Sequence, residues 1–293
     1  MSHPPFPPYQ LASRVCTLER ESDYREVYDR RGAEARAAIV SLLGDEWSFD
    51  GKRVLDFGCG AGRTLRHFLG EAADGAEIWG VDIDEPSIDW VSRNLCPPLH
   101  ASRSDSEPPL PFADGHFDLI WALSVFTHLL SPMRWLAELH RVLASGGLLI
   151  VSYMGRYNGE AFTHEPWDED RTGLVILRRQ QGWEYGGPMV LMSDWWFDEH
   201  WGRAFVPVRR EPVHGQTWAL LRRRDAEVTE ARLQAPSDDP RELAALAHAL
   251  ELVQADHERT VAELRAHYER SRSWKVTRPL RAAAASMRHR RAR

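Results

Sequence analysis

The stretch VLDFGCGAGR, residues 54 to 63, constrains this chain more than any other. A short apolar run, Val54 to Phe57, is cut by glycines at 58, 60 and 62 and followed at once by the helical pattern RTLRHFLG. Glycines at alternate positions let a backbone take positive φ and approach a ligand closely, so the stretch predicts strand, tight loop, helix. The segment AEIWGVDIDEPSIDWVSRNL repeats the form: an apolar strand ending at Asp82, a break, and a helix starting near Pro86, a residue suited to a first helical turn.

Further strands are expected near residues 99 to 102, in FDLIWALSVFTHLL, in LLIVSYM, and as a closing pair over 203 to 210 and 216 to 223. PMRWLAELHRVLASGG reads as an amphipathic helix closed by Gly146 and Gly147. Strands and helices alternating at this spacing imply parallel βαβ units, and so an α/β fold with a doubly wound, mostly parallel sheet. Residues 1 to 50 form an N-terminal helical segment, with helix expected over 19 to 44, and residues 51 to 224 the main domain. Within that domain 153 to 201 fits no regular βα unit, and a long excursion inside a compact domain is usually functional. A polar linker, 225 to 240, leads to an amphipathic helix, 241 to 273, whose Leu243, Leu250 and Leu264 are spaced by sevens, and to a basic tail, 274 to 293.

The glycine loop delivers a ligand to the start of the next helix, a place that favours an anionic group. Asp82 ends the second strand, where a carboxylate can accept hydrogen bonds from both hydroxyls of a ribose. A dinucleotide fingerprint requires G-x-G-x-x-G; here the pattern is G-x-G-x-G, with Arg63 where the last glycine would stand. Asp56, two residues before the first glycine, suits an amino group better than a pyrophosphate. An amino acid joined to a ribose, as in S-adenosylmethionine, meets both demands.

At these residues the chain resembles the class I S-adenosylmethionine-dependent methyltransferases. VLDFGCGAGR looks like their first motif and GVDIDEPSIDW like the second-strand motif with its ribose-binding acid. LPFADGHFDLIWALSVFTHL is similar to the segment leading through the fourth strand, and WLAELHRVLASGGLLIVSY to the helix and fifth strand that follow. The resemblance covers residues 50 to 223 and implies a Rossmann-like sheet of seven strands with S-adenosyl-L-methionine as cofactor. It implies that Asp56, Gly58, Gly60 and Gly62 hold the methionine moiety and Asp82 the ribose, with Ile83 against the adenine and Cys59 and Leu123 also at the cofactor. Asp105 is the expected partner of the adenine amino group, with Ser106 beside it as the alternative.

A methyl sulfonium is already activated, so the protein mainly aligns the acceptor and excludes water. A hydroxyl acceptor must also lose its proton, and a positioned histidine would take it. His128, just past the fourth strand, and His214, between the last two strands, are the candidate bases. His67, His140 and His248 sit in helical patterns and read as surface or satisfied residues. His164, Glu165, Asp168, Glu169 and Asp170 match no metal-ligand spacing, and no metal is expected. Tyr153, Tyr157, Trp167, Trp183, Tyr185, Trp195 and Trp196 offer rings on which a sugar could stack, with core packing as the plainer reading.

Within that family the chain looks most like bacterial methyltransferases found with cell-surface polysaccharide assembly. PPLPFADGHFDLIWALSVFTHL and HGQTWALLRRR carry this likeness, although Thr217 stands where the relatives commonly have Asp. SRSWKVTRPLR resembles a short ending on bacterial glycosyltransferases and their companions. The resemblance implies methyl transfer to a sugar hydroxyl of a surface glycan or its lipid-linked precursor, with glycan-assembly proteins as partners. Two alternatives stand beside it: a small-metabolite methyltransferase, and a non-catalytic nucleoside-binding scaffold of a glycan-assembly complex.

Charge bears on location. The whole chain is at −6, yet residues 270 to 293 hold nine basic residues and no acid. Removing these nine from the 37 Lys and Arg leaves 28 against 43 acids, so the body is near −15 and would repel phosphates, which argues against a nucleic-acid partner. Trp274, Leu280, Ala284 and Met287 add an apolar side to the basic one, as expected for a segment lying on an anionic membrane surface. The first twenty residues hold no continuous apolar core of a signal peptide, and Cys16, Cys59 and Cys96 form no C-x-x-C pair. A cytoplasmic protein, peripheral at the inner face of the plasma membrane, is the expectation.

Overall fold

A computed structural model describes residues 4–15, 18, 20–182 and 186–271. Trp183, Tyr185 and the expected membrane-binding segment from residue 272 onward lie outside these.

Helices α1 (Tyr9–Ala12) and α2 (Tyr24–Leu43) precede strand β1 (Arg53–Phe57). A 3₁₀ turn, Leu65–Phe68, and α3 (Leu69–Ala73) lead to β2 (Glu77–Asp82), and α4 (Glu85–Asn94) leads to β3 (His100–Arg103). Then come β4 (Phe117–Ala122), α5 (Pro132–Val142) and β5 (Leu143–Tyr153). The excursion contains α6 (Gly159–Thr163), β6 (Leu174–Leu177), β7 (Met189–Met192) and α7 (Asp194–Trp201). β8 (Phe205–Val213), β9 (Gln216–Arg223), α8 (Glu230–Gln234) and α9 (Glu242–Arg270) complete the described chain.

Seven strands form one sheet in the order β3-β2-β1-β4-β5-β9-β8. The first five are parallel; β9 runs antiparallel to β5 and β8 antiparallel to β9. Both faces are covered. Val54, Ile78, Trp121 and Ile150 face Ile39 and Leu42 of α2, Phe68, and Ile88 and Val91 of α4. Leu55, Ile120 and Val151 face Met133 and Leu136 of α5 and Phe197 and Trp201 of α7. Strands buried on both faces need apolar residues at nearly every position, which is why LIWA reads as an unbroken run and VLDF departs from one only at the buried Asp56.

Three expectations change. Gly146 and Gly147 do not close a helix: α5 ends at Val142 and the chain passes directly into β5. The pairing slips between Phe117↔Leu143 and Leu119↔Leu148, and Gly146 sits in that irregularity at φ +67°, so these glycines serve a strand. Behind the glycine loop the expected helix is a 3₁₀ turn followed by one short α-turn. The excursion is regular: LVIL and MVLM pair as a separate antiparallel hairpin. Its Val175, Leu177, Met189 and Leu191 pack with Met154 and with Leu252 of α9.

The first half of α9 docks through Ala245, His248 and Leu252. The seven-spaced Leu243, Leu250 and Leu264 are 79%, 66% and 53% exposed, so docking uses a different face of the helix. From Thr260 to Arg270 every residue is exposed. Among the described residues no helix is long and apolar enough to cross a membrane.

Candidate active site at the carboxyl edge of the sheet

In an open α/β sheet ligands bind beyond the carboxyl ends of the strands, where the strand order reverses. Here the reversal lies between β1 and β4, since the chain builds outward through β2 and β3 before crossing back. The glycine loop leaves β1 at that point. Gly58 N–H and Cys59 N–H both donate to Val81 O, at 2.7 and 3.1 Å, which ties the loop to the end of β2.

Gly58 and Gly60 take φ of +79° and +51°, and each is closely covered. A Cβ at Gly58 would stand 2.3 Å from Val125 Cγ2, and one at Gly60 would stand 2.1 Å from Val15 Cγ1. Neither position admits a side chain. Gly62 has the same sense of φ and packs against Leu95 and Val91 of the α4 region.

Two carboxylates flank the loop and differ in their partners. Asp82 accepts Gly60 N–H on Oδ2 at 2.7 Å and Asp84 N–H on Oδ1 at 2.8 Å. Burial raises its pKa, while these backbone donors act the other way. Asp56 is buried, and its Oδ2 has no hydrogen-bond partner among the described residues. Burial pushes the Asp56 carboxyl up to about 7; Trp121 and the Arg63 charge oppose the rise, and Asp82 adds to it. An unpartnered buried oxygen is costly, and a cationic amino group beside it would relieve that cost. Asp82, held open by backbone donors, keeps lone pairs for a diol. The donor set therefore fits an amino acid joined to a ribose.

The remaining expected cofactor residues lie along the same edge. Ile83 follows Asp82, and Ser104 N–H donates to Asp82 O at 3.0 Å, bringing the loop that carries Asp105 and Ser106 alongside. Asp105 and Ser106 are both exposed. Leu123 is half-buried at the end of β4, and Cys59 is buried beneath the loop. Burial raises the Cys59 thiol well above its ordinary value, with Asp56 and Asp82 contributing.

The two histidines part company. His128 Nδ1 donates to Pro188 O at 2.9 Å, and burial lowers its pKa, so the ring is neutral at pH 7 and Nε2 is the basic nitrogen. His214 occupies the β8–β9 turn at φ +48° on the same edge, but it is exposed and its Nε2 lies 3.4 Å from Glu34 Oε2 on α2.

Some contacts at this edge escaped the sequence reading. Ser124, at φ +58°, donates its N–H to Ser152 Oγ at 2.7 Å, and Gln216 Nε2 donates to Ser124 Oγ at 3.1 Å, linking β4, β5 and β9. Tyr153 Oη donates to Asp194 Oδ1 at 2.6 Å, and Arg156 Nη2 donates to Asp194 Oδ2 at 3.3 Å. Ser124, the first polar residue after the apolar run LIWAL, marks the turn there, but no local signal reveals partners 28 and 92 residues away. Of the rings expected to stack on a sugar, Tyr153, Trp195 and Trp196 are buried at 1%, 7% and 6% exposure and serve the core, whereas Tyr157 is 53% exposed. Among the described residues no group of three or more His, Cys, Asp or Glu converges on a metal position.

Residues 55–151 match the family described as "Methyltransferase domain". An uncharacterized methyltransferase of Mycobacterium leprae is 31% identical over 158 residues, 50% of this chain and 57% of the relative. The ubiquinone biosynthesis O-methyltransferase of Ruegeria pomeroyi is 35% identical over 122 residues, 39% of this chain and 46% of the relative. The chain thus spans about half the length of the curated relatives it matches. Among solved structures, an S-adenosylmethionine-dependent methyltransferase from Listeria monocytogenes superposes with a TM-score of 0.51 at 15% identity, over 67% of this chain and 99% of that one. The Haloferax volcanii methyltransferase solved with its Trm112 activator gives 0.51 at 15%, over 75% and 99%. The sheet has the Rossmann-like fold of these solved structures, and the cofactor that the match to a methyltransferase domain implies is S-adenosylmethionine.

Proposed function

We propose that this chain, with its methyltransferase domain over residues 55–151, transfers a methyl group from S-adenosylmethionine to a hydroxyl, and that the hydroxyl belongs to a sugar of a surface glycan or its lipid-linked precursor. The observation that carries the first part is Asp56, a buried carboxylate with an unpartnered oxygen directly before the glycine loop.

Bound there, S-adenosylmethionine supplies a methyl group already activated by its sulfonium. Asp56 would hold the ammonium and the backbone of 58 to 62 the rest of the amino acid. Asp82, pinned by Gly60 and Asp84, would take the ribose hydroxyls, with Ile83, Leu123 and the loop of Asp105 and Ser106 about the adenine. His128 is the better placed base: its neutral ring is oriented by its Nδ1–H on Pro188 O, and Nε2 would receive the acceptor's proton. His214, paired with Glu34 on the open surface, is assigned a lesser role. The sugar reading rests on the motif likeness and on exposed polar and aromatic groups at this edge, Ser124 and Tyr157.

The name of the Ruegeria pomeroyi relative favours a second reading, a small-molecule hydroxyl as acceptor. The basic segment 271 to 293 fits attachment to an anionic membrane surface close to a lipid-linked acceptor.

Titration calorimetry with S-adenosylmethionine and S-adenosylhomocysteine tests the cofactor assignment, and no binding of either by folded protein would overturn it. Mass spectrometry of surface glycans with and without the gene tests the acceptor. Loss of a methyl-sugar signal supports the glycan; an unchanged glycan with an altered small-metabolite pool supports the second reading.

A further inference from the structure

The glycine loop has a second neighbour that the chemistry above does not use. Residues 4 to 15 cross from α2 to the loop, and their two ends are held differently. At the first end, Arg66, buried just behind the loop, donates from Nη2 to Pro4 O at 2.7 Å and lies under the Phe6 ring at 4.1 Å from its centroid. Tyr24 Oη donates to Pro7 O at 3.0 Å, and the Tyr9 and Tyr24 rings meet edge to face. Ala12 is fully buried with Tyr28, whose hydroxyl donates to Ala61 O inside the glycine loop at 2.9 Å. This end belongs to the core.

The other end rests on the cofactor residues themselves. Val15 is half-buried and lies over Gly60, where a Cβ would meet its Cγ1 at 2.1 Å. Arg14 pairs with Asp84 Oδ1, next but one to Asp82, and the two side chains are 50% and 27% exposed. One exposed ion pair and one valine on a glycine are weak contacts that water can replace, whereas the anchor is not.

We propose that residues 4 to 15 form a strap over the cofactor loop, anchored on Arg66 and Tyr24 and latched by Arg14 on Asp84 and Val15 on Gly60, which opens to admit S-adenosylmethionine and closes to retain it. The strap rests on the cofactor reading above. Its closure shields the loop and the Asp82 edge from water, so the latch slows cofactor release while leaving the chemistry to other residues.

The test is stopped-flow release of S-adenosylhomocysteine from the full-length protein, wild type against Arg14→Ala/Val15→Ala, with Arg14→Lys as the conservative variant. The double variant should release about fivefold faster or more, the scale expected for losing an exposed ion pair and a small apolar contact, while Arg14→Lys stays near wild type. Saturating S-adenosylhomocysteine should also protect the Arg14–Val15 bond of the wild type from trypsin, and protection should be lost in Val15→Ala, which keeps the cleavage site but not the contact with Gly60. Unchanged release and no protection would overturn the strap while the cofactor reading stands. Tighter binding by the double variant would overturn it too, because Val15 would then fill the site rather than cover it. No binding by wild type removes both.

Discussion

Gly60 and Asp82 are joined by a hydrogen bond of 2.7 Å from the glycine N–H to Oδ2, so the loop after β1 and the acid that ends β2 form one unit. Twenty-two residues separate the two, and parallel pairing of β1 with β2 through Phe57↔Val81 brings them together. Removing the acid therefore removes a strut of the loop together with the proposed ligand of the ribose.

Asp82→Ala should weaken S-adenosylhomocysteine binding by about 10- to 100-fold, the scale of one or two hydrogen bonds to a charged group. Asp82→Asn, which keeps an acceptor for Gly60 N–H, should lose less. Calorimetry on both variants reads the difference, and equal losses would separate the strut from the ligand role.

Asp56 makes binding depend on pH. Its folded value of about 7 lies above its unfolded value of 3.8, so between these the folded state holds a proton that the unfolded state has released. Stability of the ligand-free protein should fall as pH rises from about 4 to about 7 and level off above that. An ammonium ligand requires the ionised carboxylate, so affinity should rise through the same range and plateau above pH 7, with a proton released on binding below it. Asp56→Asn should bind weakly and with no such pH dependence. Calorimetry in buffers of different ionisation enthalpy measures the proton directly.

His128 should set the acid side of the rate profile. Burial lowers its pKa below the ordinary imidazole value, so kcat should hold to a lower pH than a solvent-exposed histidine would allow. His128→Gln should reduce kcat by about 10²- to 10⁴-fold with cofactor affinity unchanged, if the ring removes the acceptor proton. His214→Gln should change kcat little, given the exposure of His214 and its pairing with Glu34.

Gly58→Ala combines a positive φ with a contact of 2.3 Å to Val125 Cγ2. The backbone strain alone costs about 1–3 kcal/mol, so melting should drop by several degrees. Adding Val125→Ala should restore the part due to crowding and leave the part due to φ. Thermal melts of the two single variants and the double variant separate these contributions.

Co-sedimentation with anionic liposomes should follow the basic segment. Deleting residues 271 to 293 should abolish it, and raising salt should weaken it, since each basic residue near the surface contributes about 1 kcal/mol. Cofactor affinity should not change on deletion. Sedimentation of the truncated chain equal to that of the intact one would refute the membrane assignment.

Much of the parallel sheet was legible because a buried strand imposes its composition locally. VLDF, EIWGVD and LIWA announce themselves with no knowledge of their neighbours, and Asp82 stands at a strand end that the pattern locates. Gly146 and Gly147 misled because glycine closes a helix and fills a strand irregularity equally well, and the slip between β4 and β5 depends on both strands. The β6–β7 hairpin was missed because two four-residue apolar runs, 11 residues apart and buried without alternation, lack the period that distinguishes a strand.

The amino-acid sequence by itself determined the glycine loop, the acid before it and the acid that ends β2, and hence the class of cofactor. Each is a local matter: positive φ needs glycine, a strand end needs its apolar run, and the charge is covalently in place. Only the tertiary structure decided which distant groups meet that loop. Arg14 reaches Asp84 across 70 residues and Gln216 reaches Ser124 across 92; His214 turns to Glu34, and Trp195 and Trp196 are drawn into the core. Those choices depend on how helices and strands pack against one another, a property of surfaces that no single stretch of chain contains.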